Sequence, residues 1–307
     1  YSLFYEIPYL NKKQKSGLKF RLNYFQQHEI AYKTKNNRLM FYKSPDRYVR
    51  AYTSSNLHYL LRPELYREHD FSIGLLNVNV VDTITILNPD YLGKAKKQLT
   101  LATAEYMFTV DLRDNKAYPL TGKFFQLKLK KTGFGLFSDD HPDYFSASCN
   151  YYNFLDIGSS FYYANIINAK KTGTSREPYY LQGGIGYGNN YLRGFEYYVI
   201  DGQDLFIMKN IMKYELLSPR TIHFSEIPLN RFNKIHYAFY FNVFLDAGDV
   251  ANYHENELNQ NTFQNHFLYS GGLGVDFVTY YDKVFRIEYS INKFGESGIF
   301  FHFQTPF

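Results

Sequence analysis

Between Val284 and Asn292 the chain reads VFRIEYSIN, an unbroken alternation that sets Phe285, Ile287, Tyr289 and Ile291 against Arg286, Glu288, Ser290 and Asn292. Successive side chains of a strand point to opposite faces, so a period of two yields one apolar and one charged face. The same pattern opposes Phe125, Leu127 and Leu129 to Gln126, Lys128 and Lys130. It recurs with Tyr106, Phe108, Val110 and Leu112 against Glu105, Thr109, Asp111 and Arg113. Similar segments lie near Leu3 to Leu10, Leu18 to Tyr32, Arg47 to Leu61, Phe71 to Asp82 and Tyr144 to Asp156. They continue at Ser160 to Asn168, Leu205 to Leu217, Tyr237 to Gly248, Phe267 to Tyr280 and Ile299 to Phe307. Together they make about thirteen strands of roughly ten residues, a length that crosses a bilayer when tilted. Turn signals such as NKKQKSG, NPDYLG, YPLTG, DIGSS and YYDK separate them. The only helical expectation is a turn near Leu87 to Leu92, and one domain over residues 1–307 is the simplest organisation.

Two folds accept such strands. A soluble β-sandwich buries its apolar face against a second sheet and favours Val, Ile and Leu there. A membrane barrel turns that face to lipid and keeps a wet, charge-paired interior. Here Phe and Tyr supply 20% of all residues, with no Trp, and dominate the apolar faces, while the opposite faces carry both signs of charge. The barrel explains both facts. No apolar run approaches the roughly 18 residues of a membrane helix, an absence that a barrel permits because lipid-facing and lumen-facing residues average out. The net charge of +5 is spread over mixed acidic and basic residues, so nucleic acid is not an expected partner. The single cysteine, Cys149, excludes an internal disulfide and falls on the apolar face of Phe145, Ala147 and Tyr151. No signal-peptide pattern opens the chain, which reads as mature or as a fragment.

Four motifs carry a family resemblance. The chain finishes GIFFHFQTPF, with Phe301, Phe303 and Phe307 on one face, and this resembles the C-terminal targeting strand of bacterial outer-membrane barrels. YLRGFEYY resembles the Val-Arg-Gly-Phe/Tyr signature of the BamA-type outer-membrane assembly and two-partner-secretion superfamily, with Leu192 in place of Val. FLDAGDV resembles that superfamily's Phe-x-Asp-x-Gly strand, and DLRDNKAYPLTG its strand and turn ending in Pro-Thr-x-Gly. The resemblance implies a transmembrane antiparallel up-and-down β-barrel in the bacterial outer membrane, with about 13 strands visible where the family has sixteen. The family's periplasmic POTRA domains have no counterpart here, and Tyr1 already sits inside a strand, so earlier strands and domains are expected to precede it.

The same resemblance gives Arg193 a role. Its loop, from about Ala169 to Gln203, is long and rich in glycine and tyrosine. Taken alone, Arg193 reads as a solvated loop residue. Glu215 and Asp246, however, belong to the charged faces of the next two strands, and Asp246 shares its face with Gly248. The family pattern implies that the loop folds inward and that Arg193, followed by Gly194 and Phe195, locks it to Glu215 and Asp246 in a hydrated lumen. Gly194 lets the backbone come close to the wall.

Catalytic signals are missing: there is no Gly-x-Ser-x-Gly elbow, no His-Glu-x-x-His, and no metal-ligand spacing among histidines such as His223, His236, His254 and His266. Asp139, Asp140 and Asp143 read as a solvated hairpin tip rather than a calcium loop. No enzyme, metal or cofactor is expected. The resemblance implies insertion or folding of other outer-membrane proteins. The partners it implies are the lipid bilayer, unfolded outer-membrane or secreted proteins, and accessory assembly proteins. The alternatives are a two-partner-secretion channel and the membrane anchor of a fused hydrolase.

Overall fold

The computed structural model describes residues 1–137, 142–174, 176–223, 234–253, 261–279 and 283–304. Its strands are β1 Ser2–Ile7, β2 Ser16–Gln27, β3 Glu29–Lys35, β4 Arg38–Lys43, β5 Arg50–Glu64, β6 Arg67–Val80, β7 Gln98–Asp111 and β8 Gly122–Thr132. They continue as β9 Tyr144–Gly158, β10 Phe161–Thr172, β11 Asp204–His223, β12 Lys234–Ala251, β13 Leu268–Thr279, β14 Lys283–Asn292 and β15 Ser297–Gln304, with one short helix, α1, at Asp82–Leu87. Thirteen strands form one antiparallel sheet in which sequence neighbours pair throughout, and β3 with β4 makes a separate hairpin. The all-β, up-and-down order is the one the alternation implies. The two edges of the large sheet, β1 and β15, have no ladder to each other among the described residues.

The alternation sorts the two faces. On β14, Phe285, Ile287, Tyr289 and Ile291 are 44–51% exposed, whereas Arg286, Glu288, Ser290 and Asn292 are 1–8% exposed. Arg286 and Asp276 face each other across β13 and β14 on the concave side. On the convex side Phe239, Phe277, Phe285 and Phe303 stand in a row over β12 to β15, with ring centroids 4.9, 6.1 and 4.7 Å apart. Phe301 and Phe303 are exposed on that same convex face; Phe307 lies outside the described residues.

One end of the sheet carries the long connections, including residues 28–49, 81–97, 173–203 and 252–267, and the other carries turns as short as 65–66 and 159–160. At the long-loop end, Ile30, Val49, Ile84, Tyr91, Leu92 and Tyr179 pack on the inward residues Val78, Val80, Leu99 and Leu101. An apolar dome therefore caps that end of β6 and β7. The hairpin in it departs from the expected single strand Leu18 to Tyr32: the chain breaks at His28, whose ring Nδ1 lies 2.9 Å from the Ser44 carbonyl. The hairpin turns at Asn36 and Asn37, with φ of 51° and 58°, the left-handed pair of a tight hairpin. The turn expected at Leu87 to Leu92 is present, with Tyr91 N–H donating to the Asn88 carbonyl at 3.0 Å, and it follows a short helix, α1, that occupies Asp82–Leu87.

Candidate functional site

The connection from β10 to β11 does not stay at the mouth. Two tight turns, Phe195 N–H to the Leu192 carbonyl (3.0 Å) and Tyr198 N–H to the Phe195 carbonyl (2.9 Å), fold its middle into a knot. Leu192 and Phe195 are buried with Ile185, Ile200, Leu205, Ile207, Val250 and Leu268, so apolar packing seats the loop against β11, β12 and β13. Gly194, at φ +81°, makes the reversal, and a Cβ there would come within 3.1 Å of the Ser270 Cβ. Gly248 clears the wall: a Cβ would stand 3.2 Å from Ile185 and 3.5 Å from Leu192. Both glycines serve close approach, one by dihedral freedom and one by lack of bulk.

With its flanking residues held, Arg193 points at the wall. Its Nε donates to Asp246 Oδ2 at 2.7 Å, Nη2 to Asp246 Oδ1 at 2.5 Å, and Nη1 to Glu288 Oε1 at 3.1 Å. The guanidinium carbon lies 3.6 Å over the Phe244 ring. Arg193 is 1% exposed, Asp246 2% and Glu288 1%. The guanidinium thus bonds both oxygens of Asp246 in fork geometry while crossing to a carboxylate two strands away. Gly274, on β13 between them, makes this crossing possible, because a Cβ there would stand 2.8 Å from the Glu288 Cγ.

The ion pairs extend along the wall. Arg286 forks onto Asp276 at 2.6 and 2.8 Å. Asp276 also accepts from the Tyr118 hydroxyl at 2.7 Å and the Asn242 amide at 3.0 Å. His302 Nε2 lies 3.3 Å from Glu288 and 3.9 Å from Glu196 of the loop. Burial holds the Glu196 carboxyl above its usual range, against the pull of backbone N–H groups and of His302. One network therefore ties the loop to β12, β13, β14 and β15.

Two expectations need correcting. Glu215 is not a partner of Arg193: in the β11–β12 register Lys209 faces Asp246 while Glu215 faces Tyr240. Six residues of strand separate the two levels, roughly 20 Å. Glu215 instead accepts from Ser218 beside a register shift that holds Pro219, a residue unable to donate to the ladder. The second acceptor is Glu288. Its inward face is plain from the alternation of β14, but β14 is not one of the two strands that follow the loop in sequence. The other correction concerns hydration: the pair is dry, because Phe244 and the packed loop exclude water from it.

Among the described residues, no group of three or more His, Cys, Asp or Glu side chains could hold a metal ion. Asp139 and Asp140 lie outside the described residues, and Asp143 pairs with Lys131. Cys149 is half-buried and free.

No protein-family profile matches the chain, and no curated protein does. Among solved structures it is similar to the crystal structure of BamA from Haemophilus ducreyi lacking POTRA domains 1–3, with a TM-score of 0.60 at 14% sequence identity. The match covers 98% of this chain and 60% of that one. At that identity the likeness shows the fold, an antiparallel β-barrel architecture of the BamA kind.

Proposed function

We propose that this chain is the lipid-embedded barrel of a bacterial outer-membrane assembly protein, and that the loop bearing Arg193 is its internal latch. The observation that carries the reading is the buried bond set from Arg193 to Asp246 and Glu288, which fixes a long loop inside the sheet instead of leaving it at the surface. Lipid contact is supported by the convex aromatic row and the exposed apolar face of β14, which in water would be a large apolar patch. Short turns at one end and long loops at the other match the periplasmic and extracellular ends of such barrels.

Assistance would come from strand pairing at the β15 side of the sheet, where an incoming strand can add to backbone N–H and C=O groups. The latch stiffens β12 to β15 and makes the β15 edge a firm template. A secretion channel is less well supported, because the loop held against the inward face of the sheet would have to move for a chain to pass. No cofactor is required, since strand pairing supplies the driving force.

The test is reconstitution. Vesicles carrying the protein should accelerate membrane insertion of a urea-unfolded outer-membrane barrel over protein-free vesicles, and Arg193→Ala should reduce that acceleration. Equal insertion with and without the wild-type protein would refute the assembly role.

A further inference from the structure

Beneath the latch lies a cavity of about 250 Å³, lined by the 112–121 connection, the loop tip at Asn189 and Tyr191, and the inward faces of β9, β10 and β11. Its charged lining is Arg113, Lys116, Arg193, Lys209, Lys213 and Arg286, without a single carboxylate. The arginines are already matched: Arg193 to Asp246 and Glu288, Arg286 to Asp276, and Arg113 to Asp111 through bonds of 2.8 Å. The two lysines of β11 are not.

Lys209 and Lys213 are 6% and 4% exposed, and among the described residues neither has a carboxylate within salt-bridge distance. Their natural counter-ions have been taken. Asp246 faces Lys209 across the ladder, but both of its oxygens bond Arg193. Asp276 near Lys213 is saturated by Arg286, Tyr118 and Asn242. Each ammonium is displaced onto an aromatic face: Lys209 Nζ lies 3.4 Å from the Tyr191 ring centroid and Lys213 Nζ 3.8 Å from that of Tyr118. Lys213 adds one long bond, 3.4 Å, to the Pro119 carbonyl. A ring quadrupole offsets only part of the desolvation of an ammonium, so two buried lysine amino groups face a polar void with no carboxylate bonded to either.

We propose that this cavity is an anion site that takes a small phosphate-bearing ligand between Lys209 and Lys213. Two unmatched ammonium groups call for a dianion, and a phosphate group brings two charges and several acceptor oxygens to a lining made of donors. The four-residue offset of the two lysines spans roughly 13 Å of strand, so a ligand with two anionic groups engages both better than orthophosphate does. Tyr191 is both the ring under Lys209 and the near neighbour of Arg193, so an occupied cavity bears directly on the latch. The proposal needs only this lumenal geometry and stands apart from the assembly role.

The experiment is calorimetric titration of the detergent-solubilised protein with pyrophosphate and with orthophosphate, against chloride at matched ionic strength. Saturable binding at about one pyrophosphate per chain is expected, weaker for orthophosphate, with Lys209→Met and Lys213→Met each lowering affinity at least tenfold and Lys213→Arg retaining it. Should a methionine variant fail to fold, the wild-type protein alone decides: crystals soaked in tungstate are expected to show anomalous density in this cavity. Phosphates that behave like chloride, variants that bind unchanged, or tungstate found only elsewhere would each overturn the site.

Discussion

Replacing Arg193 by alanine removes one side chain but strands two. Asp246 and Glu288 are buried, and the guanidinium supplies two hydrogen bonds to the first and one to the second. Breaking a buried ion pair from one side costs about 3–5 kcal/mol, because the remaining charge has no water to return to. We expect that loss in urea unfolding of the protein refolded into lipid vesicles, followed by tyrosine fluorescence. Arg193→Lys keeps a charge but cannot fork onto Asp246 and reach Glu288 together, so it should recover only part, leaving a deficit of about 2 kcal/mol. In a double-mutant cycle with Asp246→Asn the effects should be non-additive, with a coupling of about 2–3 kcal/mol, since either change alone breaks the same unit. Glu215→Ala is the control, expected to shift stability by no more than about 0.5 kcal/mol because its carboxylate sits at a different level of the wall. A loss below about 1 kcal/mol for Arg193→Ala, with additivity in the cycle, would refute the reasoning.

Four further outcomes are expected. Gly194→Ala should cost about 1–2 kcal/mol and raise proteolysis of the 173–203 connection, because φ is +81° and the new Cβ meets Ser270. Ile287→Arg should cost about 2–4 kcal/mol in a bilayer but little in detergent, whereas a conservative polar change at Ser290 should not distinguish the two. Glu296 accepts from Asn292 and from the Tyr198 hydroxyl at 2.7 Å, and these bonds hold its carboxyl below its usual value. A depressed carboxylate stabilises above its unfolded-state value and loses that effect as pH falls through the lowered one, so protease sensitivity near Tyr198 should rise below about pH 4 and be pH-independent in Glu296→Gln. Deleting Phe307 should lower membrane levels of the protein in cells; normal levels would remove the targeting role of the last strand.

The strands were legible because lipid and lumen enforce the same alternation on every one of them. VFRIEYSIN reproduces it residue for residue in its burial. Where a strand leaves the wall the rule has no force, which is why β2 and β3 merged into one segment: Glu29 to Lys35 alternates too, but packs in the dome. The cue was present in Asn36-Asn37, a pair suited to a left-handed hairpin turn. Which carboxylate Arg193 meets was beyond the alternation, which gives the face of a residue but not its height. Height depends on register, and register placed Lys209 at the level of Asp246 and carried Glu215 away. Glu288 could be reached only through Gly274, whose missing side chain opens the path between strands.

In the proposed barrel the convex face of this sheet touches lipid while the concave face holds the latch. Single cysteines placed in turn from Phe285 to Asn292, in a Cys149→Ser background, can be spin-labelled in bilayer vesicles and scanned for collision with oxygen, which concentrates in the hydrocarbon. A period of two is expected, with high oxygen accessibility at the positions of Phe285, Ile287, Tyr289 and Ile291 and low accessibility between them. Uniform accessibility, or shielding of those four positions from oxygen and water alike by a second sheet, would contradict it.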